Sequence, residues 1–233
     1  MENKAPVRRS RLRQFMVVLA IWAVAAYLFL PWLWKEYFSH YSKFTGVSCI
    51  TQTADKHPGD PVNIAIIGSE EKLIRAMTAA GWFPADPITF STSVRIAVDS
   101  VFRKPDDNAP VSNLFLFGRK QDLAFEQPVG DSPRQRHHVR FWLWDKREEG
   151  RPVWFGSATF DERVGISYTT GQVTHHIGPD VDIERDLISG ELKKAKFENQ
   201  LSYVGGFQQP QGLNGGGDRW RTDGRLAVVV LNP

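Results

Sequence analysis

The apolar residues of the N-terminal part form an unbroken run, and those further along the chain are spaced. From Phe15 to Trp34 no side chain carries a charge, and a run of about twenty apolar residues is what an α-helix needs to cross a bilayer's hydrocarbon core. Residues 14–35 are therefore predicted to form a transmembrane helix. The basic tail ahead of it, residues 1–13, holds Lys4, Arg8, Arg9, Arg11 and Arg13, whereas only Lys35 and Lys43 follow closely on the other side. The positive-inside rule puts that tail in the cytoplasm and the C-terminal part outside it, as expected of a single-pass protein of the inner (cytoplasmic) membrane. Trp32, Trp34 and Tyr37 fall where an interfacial aromatic belt belongs. Ala23-Val24-Ala25 also fits a small-x-small cleavage site, but the apolar run continues past it through Leu30, which favours a retained anchor.

Residues 36–60 are polar and poorly periodic and end in the breaker cluster Lys56 to Pro61, which predicts a stalk or linker followed by a globular domain over 61–233. In that domain Val62 to Ile67 reads as a buried strand, and Ser69 as the N-cap of a helix with Glu70 and Glu71 in its first turn. Leu73, Ile74, Met77 and Ala80 share one face of this helix, and Gly81 ends it. Asp86-Pro87 opens a second helix, with Val94, Ala97, Val98, Val101 and Phe102 at helical spacing. Beyond Val111 short β-branched and aromatic runs predict strands over 114–117, 123–125, 139–144, 153–160 and 173–177. Turns are expected at Gly118-Arg119-Lys120, at Glu148-Glu149-Gly150 and near Asp161-Glu162. A third helix starts near Val181, capped by Asp180 or Asp182, with Leu187, Ile188, Leu192 and Ala195 on its buried face. The tail then loosens into glycine before a last strand, Leu226 to Leu231. The predicted class is α+β: a mainly antiparallel sheet packed by about three helices, behind an N-terminal transmembrane helix.

Composition supports one packed core, since 42% of the residues are hydrophobic and fifteen are Phe and eight Trp. The net charge of +3 resides in the N-terminal tail, and without it the domain is near neutrality. Nucleic acid is thereby excluded as a partner, because no basic excess is left to collect phosphate contacts. The single cysteine, Cys49, rules out an intramolecular disulfide and a cysteine-based zinc knot.

The candidate chemistry lies in two histidine doublets, His137-His138 and His175-His176, each inside a predicted strand. Adjacent strand residues point to opposite faces. His137 runs with Val139, Phe141 and Leu143, and His175 with Val173 and Ile177, so both are expected on the apolar side. His138 alternates with Arg140, Trp142 and Trp144, and His176 with Thr174, so His138 and His176 are the candidates for acid–base work, for anion binding with Arg140, or for holding a metal. A metal would need a carboxylate from Asp122, Glu126, Asp161 or Asp218. Arg136 and Arg140 flank the first doublet with positive charge that opposes a cation, so no metal and no cofactor is expected. The acidic run Asp180, Asp182, Glu184 and Asp186 reads as the charged first turn of a helix. The segment Asn214 to Arg219 is a candidate anion nest through Gly216, Gly217 and Arg219, with the alternative of a plain hairpin loop. Ser157 lacks the flanking glycines of a nucleophile elbow, and Gly68-Ser69 lacks the lysine of a phosphate loop.

Several ordered blocks together resemble the LssY carboxy-terminal domain family. They are Pro110 to Arg119 with Gln121 to Glu126, Arg136 to Trp142, Thr174 to Ile177 with Asp180 to Asp186, and Asn214 to Arg219 with Thr222 to Gly224, across roughly Pro61 to Leu231. The resemblance implies a bacterial membrane protein, because such domains accompany multi-span membrane modules, including lipid-phosphate phosphatase-like ones. It implies no particular activity, and this chain has one predicted span and no phosphatase module. The function expected from the residues is binding, with hydrolysis as its extension, of an anionic, phosphate-bearing or lipid-phosphate ligand by His138, His176, Arg119, Arg140, Gly216, Gly217 and Arg219. The alternative is a non-catalytic module presenting Trp142, Trp144, Trp154 and Phe155 to a membrane protein partner.

Overall fold

The computed structural model describes residues 7–29, 32, 44, 46–85, 113–130, 135–169 and 173–232. The chain divides into two compact units, Met1–Val47 and Ser48–Pro233. In the first, helix α1 (Val7–Val24) runs into a π-helical turn, Ala25–Phe29. Phe15, Val18, Ile21, Tyr27 and Leu28 are each more than 60% exposed there. Among the described residues no helix is long and apolar enough to cross a membrane. The predicted second helix, from Asp86 to Phe102, lies outside the described residues.

The second unit is α+β and built on a mixed, mostly antiparallel sheet. In chain order its elements are β1 (Ile50–Gln52), β2 (Pro58–Pro61), β3 (Ile64–Ile67), α2 (Glu70–Ala79), β4 (Phe83–Pro84), β5 (Phe115–Leu116), β6 (Arg119–Lys120) and β7 (Leu123–Pro128). There follow β8 (Arg136–Glu148), β9 (Arg151–Ile166), β10 (Val173–Ile177), α3 (Val181–Lys194), β11 (Glu198–Val204), β12 (Gln211–Leu213), β13 (Arg219–Arg221) and β14 (Leu226–Leu231). The large sheet has the order β11-β14-β3-β9-β8-β7-β4, with β10 added to β9, and only β14 and β3 run parallel. A second, four-stranded sheet has the order β2-β1-β5-β6.

The local signals act as expected at the helix ends. Ser69 accepts from the Lys72 amide, and Asp180 accepts from the Asp182 amide, at the N-caps of α2 and α3. Gly81 adopts φ +89° just past α2. Glu149 and Gly150, both at positive φ, make the tight turn of the β8–β9 hairpin, the geometry that matches the twist of two paired strands.

Both helices bury their apolar faces on one side of the large sheet. Leu73, Ile74, Met77, Ile188 and Leu192 meet Ile64, Ile66, Val139, Phe141, Trp154 and Val229 in a single cluster. Gly156 permits the close fit of its neighbours, because a Cβ there would lie 2.7 Å from both Ile64 and Phe141.

Four expectations need correction. Residues 48–60, read as the end of a stalk, instead supply β1 and most of β2 and belong to the second unit. No turn breaks the chain at Asp161-Glu162: β9 runs on to Ile166. The tail after α3 is not loose, since β11 pairs with β14. Trp142, Trp154 and Phe155 are buried at 2% exposure or less, so three of the four aromatics expected on a partner-binding surface are core. All four corrections share one cause: strand pairing and sheet covering are long-range, whereas the pattern read from sequence is local.

Candidate functional site

The alternation of β8 builds the site. Arg136, His138, Arg140 and Trp142 are all buried on one face of the sheet, while His137 turns the other way. There His137 lies against the Trp82 and Phe160 rings and sets its Nδ1 2.7 Å from Glu184 on α3. Across the β8–β9 ladder Asp161 stands opposite Arg136, Thr159 opposite His138, and Ser157 opposite Arg140. Residues in register on neighbouring strands share a face, so six polar side chains converge under the second sheet.

Their contacts are short and specific. Arg136 donates from Nε to Asp161 Oδ2 at 3.1 Å and from Nη1 to Glu126 at 2.9 Å. Arg140 Nη1 lies 2.6 Å from His138 Nε2 and 3.5 Å from Asp60 Oδ2. A guanidinium can only donate, so His138 Nε2 accepts and its proton is at Nδ1. That atom is 3.1 Å from Asp161 Oδ1, within ion-pair reach though not aligned as a hydrogen bond. Thr159 Oγ1 is 3.0 Å from the same Nε2.

Arg136, His138, Arg140 and Asp161 line a cavity of about 310 Å³ together with Asp60, Ser167, His175, Ile177, Asn214 and Gly216. Four nitrogens of these lining residues are buried without a hydrogen-bond partner: Arg136 Nη2, His138 Nδ1, Arg140 Nε and His175 Nε2. Burial draws Arg140 below the usual guanidinium value, against the pull of Asp60 and Asp161. His175 falls below the ordinary imidazole value, first through burial and then through Arg136, His138 and Arg140, with Asp161 opposing. Asp161 is itself held far below the carboxylate range: burial pushes it up, but His138, His175 and Arg140 outweigh that. At neutral pH the ionised Asp161 carboxylate and the neutral His175 imidazole therefore lie beside two buried guanidinium groups, with Asp60 and His138 also on the cavity wall.

The other candidates are placed differently. His176 points away from the cavity, with its Nδ1 2.6 Å from Asp218 and its ring against Tyr168, and His175 takes the position expected of it. The reason is the pairing of β10. His176 opposes Arg163 but Ile177 opposes Asp161, so Glu162 bulges from β9 and the face of Asp161 continues through Ile177 and His175. His176 still connects to His138 through Asp218, Asn214, Asp60 and Arg140, which touch in that order.

Gly216 lines the cavity, but the loop is not an open anion nest. The amides of Gly216 and Asp218 donate to Asn214 Oδ1 at 3.0 and 2.9 Å, and that of Gly217 to the Asn214 carbonyl at 3.0 Å. Gly217 instead abuts Tyr168, where a Cβ would come within 2.8 Å. Arg119 is engaged by both oxygens of Asp122 and by the Leu143 carbonyl, outside the cavity. Arg219 is exposed on β13.

The acidic run at α3 is also taken up by neighbours. Asp180 caps the helix, Glu184 holds His137, and Asp182 and Asp186 flank the buried Arg185, which also binds Asp223. Among the described residues no group of three or more His, Cys, Asp or Glu is placed to hold a metal ion.

His175, Asp60 and Arg136 are cavity residues that sequence reasoning did not assign to the site. His175 shares its face with apolar Ile177, which hid it, and Asp60 lies inside a breaker cluster that reads as a linker. The signal that could have found Arg136 is its alternation in phase with His138 and Arg140.

Fold and site thus define an α+β domain with a polar cavity built on one face of its sheet. Residues 36–226 match the family described as LssY C-terminus, and the chain belongs to that family. The match begins ahead of Pro61, in keeping with β1 and β2 being part of the domain. No curated protein and no solved structure matches the chain.

Proposed function

We propose that the cavity binds an anionic, phosphate-bearing ligand, with Arg136 and Arg140 as its principal donors. The observation that carries this reading is the pair of unpartnered nitrogens, Arg136 Nη2 and Arg140 Nε, on two buried side chains that line one cavity. A buried donor without a partner costs about 1–3 kcal/mol, and a ligand oxygen accepting from both removes that cost. Charge-assisted contacts of guanidinium to phosphate are among the stronger hydrogen bonds available. The test is calorimetric titration of the full chain in neutral detergent with inorganic phosphate. Binding in the parent, weakened at least about tenfold in Arg136→Gln and in Arg140→Gln, is expected, and no binding by the parent sinks the reading.

The hydrolytic extension rests on His175, whose unpartnered Nε2 is free to accept a proton from an attacking water. It predicts turnover of a generic phosphomonoester that is lost in His175→Gln while phosphate binding persists. Turnover unaffected by that change excludes His175 as the base.

The membrane placement completes the proposal: a single-pass anchor with its N-terminus in the cytoplasm and the cavity outside it. The exposed apolar surface of Phe15, Val18, Ile21, Tyr27 and Leu28 supports it, since lipid would cover side chains that water does not favour. A reporter active only outside the cytoplasm, fused after Pro233, is expected to work. Activity of a cytoplasm-only reporter at the same place would reverse the orientation.

A further inference from the structure

Among the described residues of the second unit six large hydrophobic side chains are exposed, and three of them fall within one short stretch of β9 and its exit: Val164, Ile166 and Tyr168, at 39%, 66% and 68%. Scattered singly, exposed apolar side chains need no explanation, but these three all adjoin the cavity wall. Val164 stands in register opposite His175, Ile166 directly precedes Ser167, and Tyr168 donates its amide to the Gly216 carbonyl at 2.9 Å; His175, Ser167 and Gly216 all line the cavity. Past the bulge at Glu162 the cavity face of β9 passes from Ser157, Thr159 and Asp161 to Val164 and Ile166. Arg163 shares the opposite face with His176, and the Tyr168 ring also rests on His176. The polar floor of the cavity thus gives way, along one face of one strand, to an exposed apolar ledge made by Val164 and Ile166.

We propose that Val164 and Ile166 form an apolar subsite of the cavity and that its ligand is an amphiphile: a phosphate monoester whose alkyl group lies along β9 while the phosphate sits on Arg136 and Arg140. This rests on the anion-binding reading given above and names the class of ligand. A ligand of one character satisfies only part of the surface. A bare oxyanion leaves Val164 and Ile166 in water, and a hydrocarbon leaves Arg136 Nη2 and Arg140 Nε without an acceptor. One molecule carrying both groups meets the two demands together. Its ester linkage still leaves three acceptor oxygens for the guanidinium groups, and each methylene laid on the ledge leaves water and adds affinity in proportion to the area covered.

The experiment compares methyl phosphate with butyl phosphate, which share one headgroup and differ only in hydrocarbon. Both are titrated calorimetrically into the full chain in neutral detergent at about pH 8, where both are dianions, with protein-free micelles as the blank. The proteins are the parent, Arg140→Gln and the double variant Val164→Thr with Ile166→Thr. Threonine keeps the β-branch that suits a strand, and thermal melts show that each variant is folded. The parent is expected to bind butyl phosphate about fivefold or more tighter than methyl phosphate. The double variant should bring the two esters within about twofold of each other and leave methyl phosphate unchanged, whereas Arg140→Gln should weaken both alike. A second arm reads the source of the ester, with the parent in lipid discs: phosphatidate that competes with butyl phosphate better than phosphatidylglycerol at matched surface charge assigns the ligand to the bilayer, and equal competition assigns it to soluble esters, the alkyl phosphate class standing in both cases. Equal affinity of the parent for the two esters, or a preference that survives in the folded double variant, overturns the apolar subsite and leaves the anion-binding reading standing. No binding of either ester by the parent overturns both.

Discussion

Asp161 stands directly across the β8–β9 ladder from Arg136, and the two side chains, 2% and 7% exposed, meet at 3.1 Å. Arg136 reaches on to Glu126, and Asp161 lies within 3.1 Å of His138, so this one pair joins three strands of the sheet. Asp161→Asn keeps the shape and removes the charge. Breaking a buried pair by neutralising one partner costs about 3–5 kcal/mol, and the remaining Glu126 contact favours the lower end. Urea unfolding should show a loss of about 3 kcal/mol, and a loss under about 1 kcal/mol would mean that the pair does not hold the sheet.

The position of β1 and β2 makes a prediction about where the domain starts. Val62 donates its amide to the Cys49 carbonyl, Asp60 reaches Arg140, and β5 pairs with β1. A chain beginning at Ser48 should unfold in one cooperative transition. A chain beginning at Val62 lacks both strands and bares the buried Arg140, and it should melt at least about 10 °C lower or fail to fold, since a shift of that size corresponds to a few kcal/mol. Equal thermal midpoints for the two would show the small sheet to be dispensable.

Acid should weaken the fold in two steps. His175 is lowered in the native state, so the unfolded chain binds its proton first, and stability falls as pH drops below about 6.5, the ordinary imidazole value. Asp161 is also lowered, so its contribution is complete above about pH 4 and is lost as pH falls further. Thermal midpoints measured from pH 8 to pH 3 should decline first near pH 6, and His175→Gln should remove that first decline while keeping the second. A parent whose midpoint is flat between pH 7 and pH 5 would contradict a half-buried, neutral His175.

What the sequence determined by itself is whatever one segment decides alone. The two-residue period of β8 sets Arg136, His138 and Arg140 on one face and His137 with Val139 and Phe141 on the other, because adjacent side chains of a strand must alternate. Ser69 and Asp180 mark helix starts because their side chains answer amides two or three residues away. The apolar run from Phe15 and the blocks that resemble the family are equally local. Tertiary structure alone decided which strands meet, and with that the composition of the site. A bulge at Glu162 brought His175 rather than His176 to the face of Asp161. The packing of a four-stranded sheet delivered Asp60 from an apparent linker to within 3.5 Å of Arg140. The glycine loop's amides were spent on Asn214 and not on a ligand. Pairing partner, bulge and covering layer all depend on contacts between residues far apart in the chain, and no local pattern encodes them.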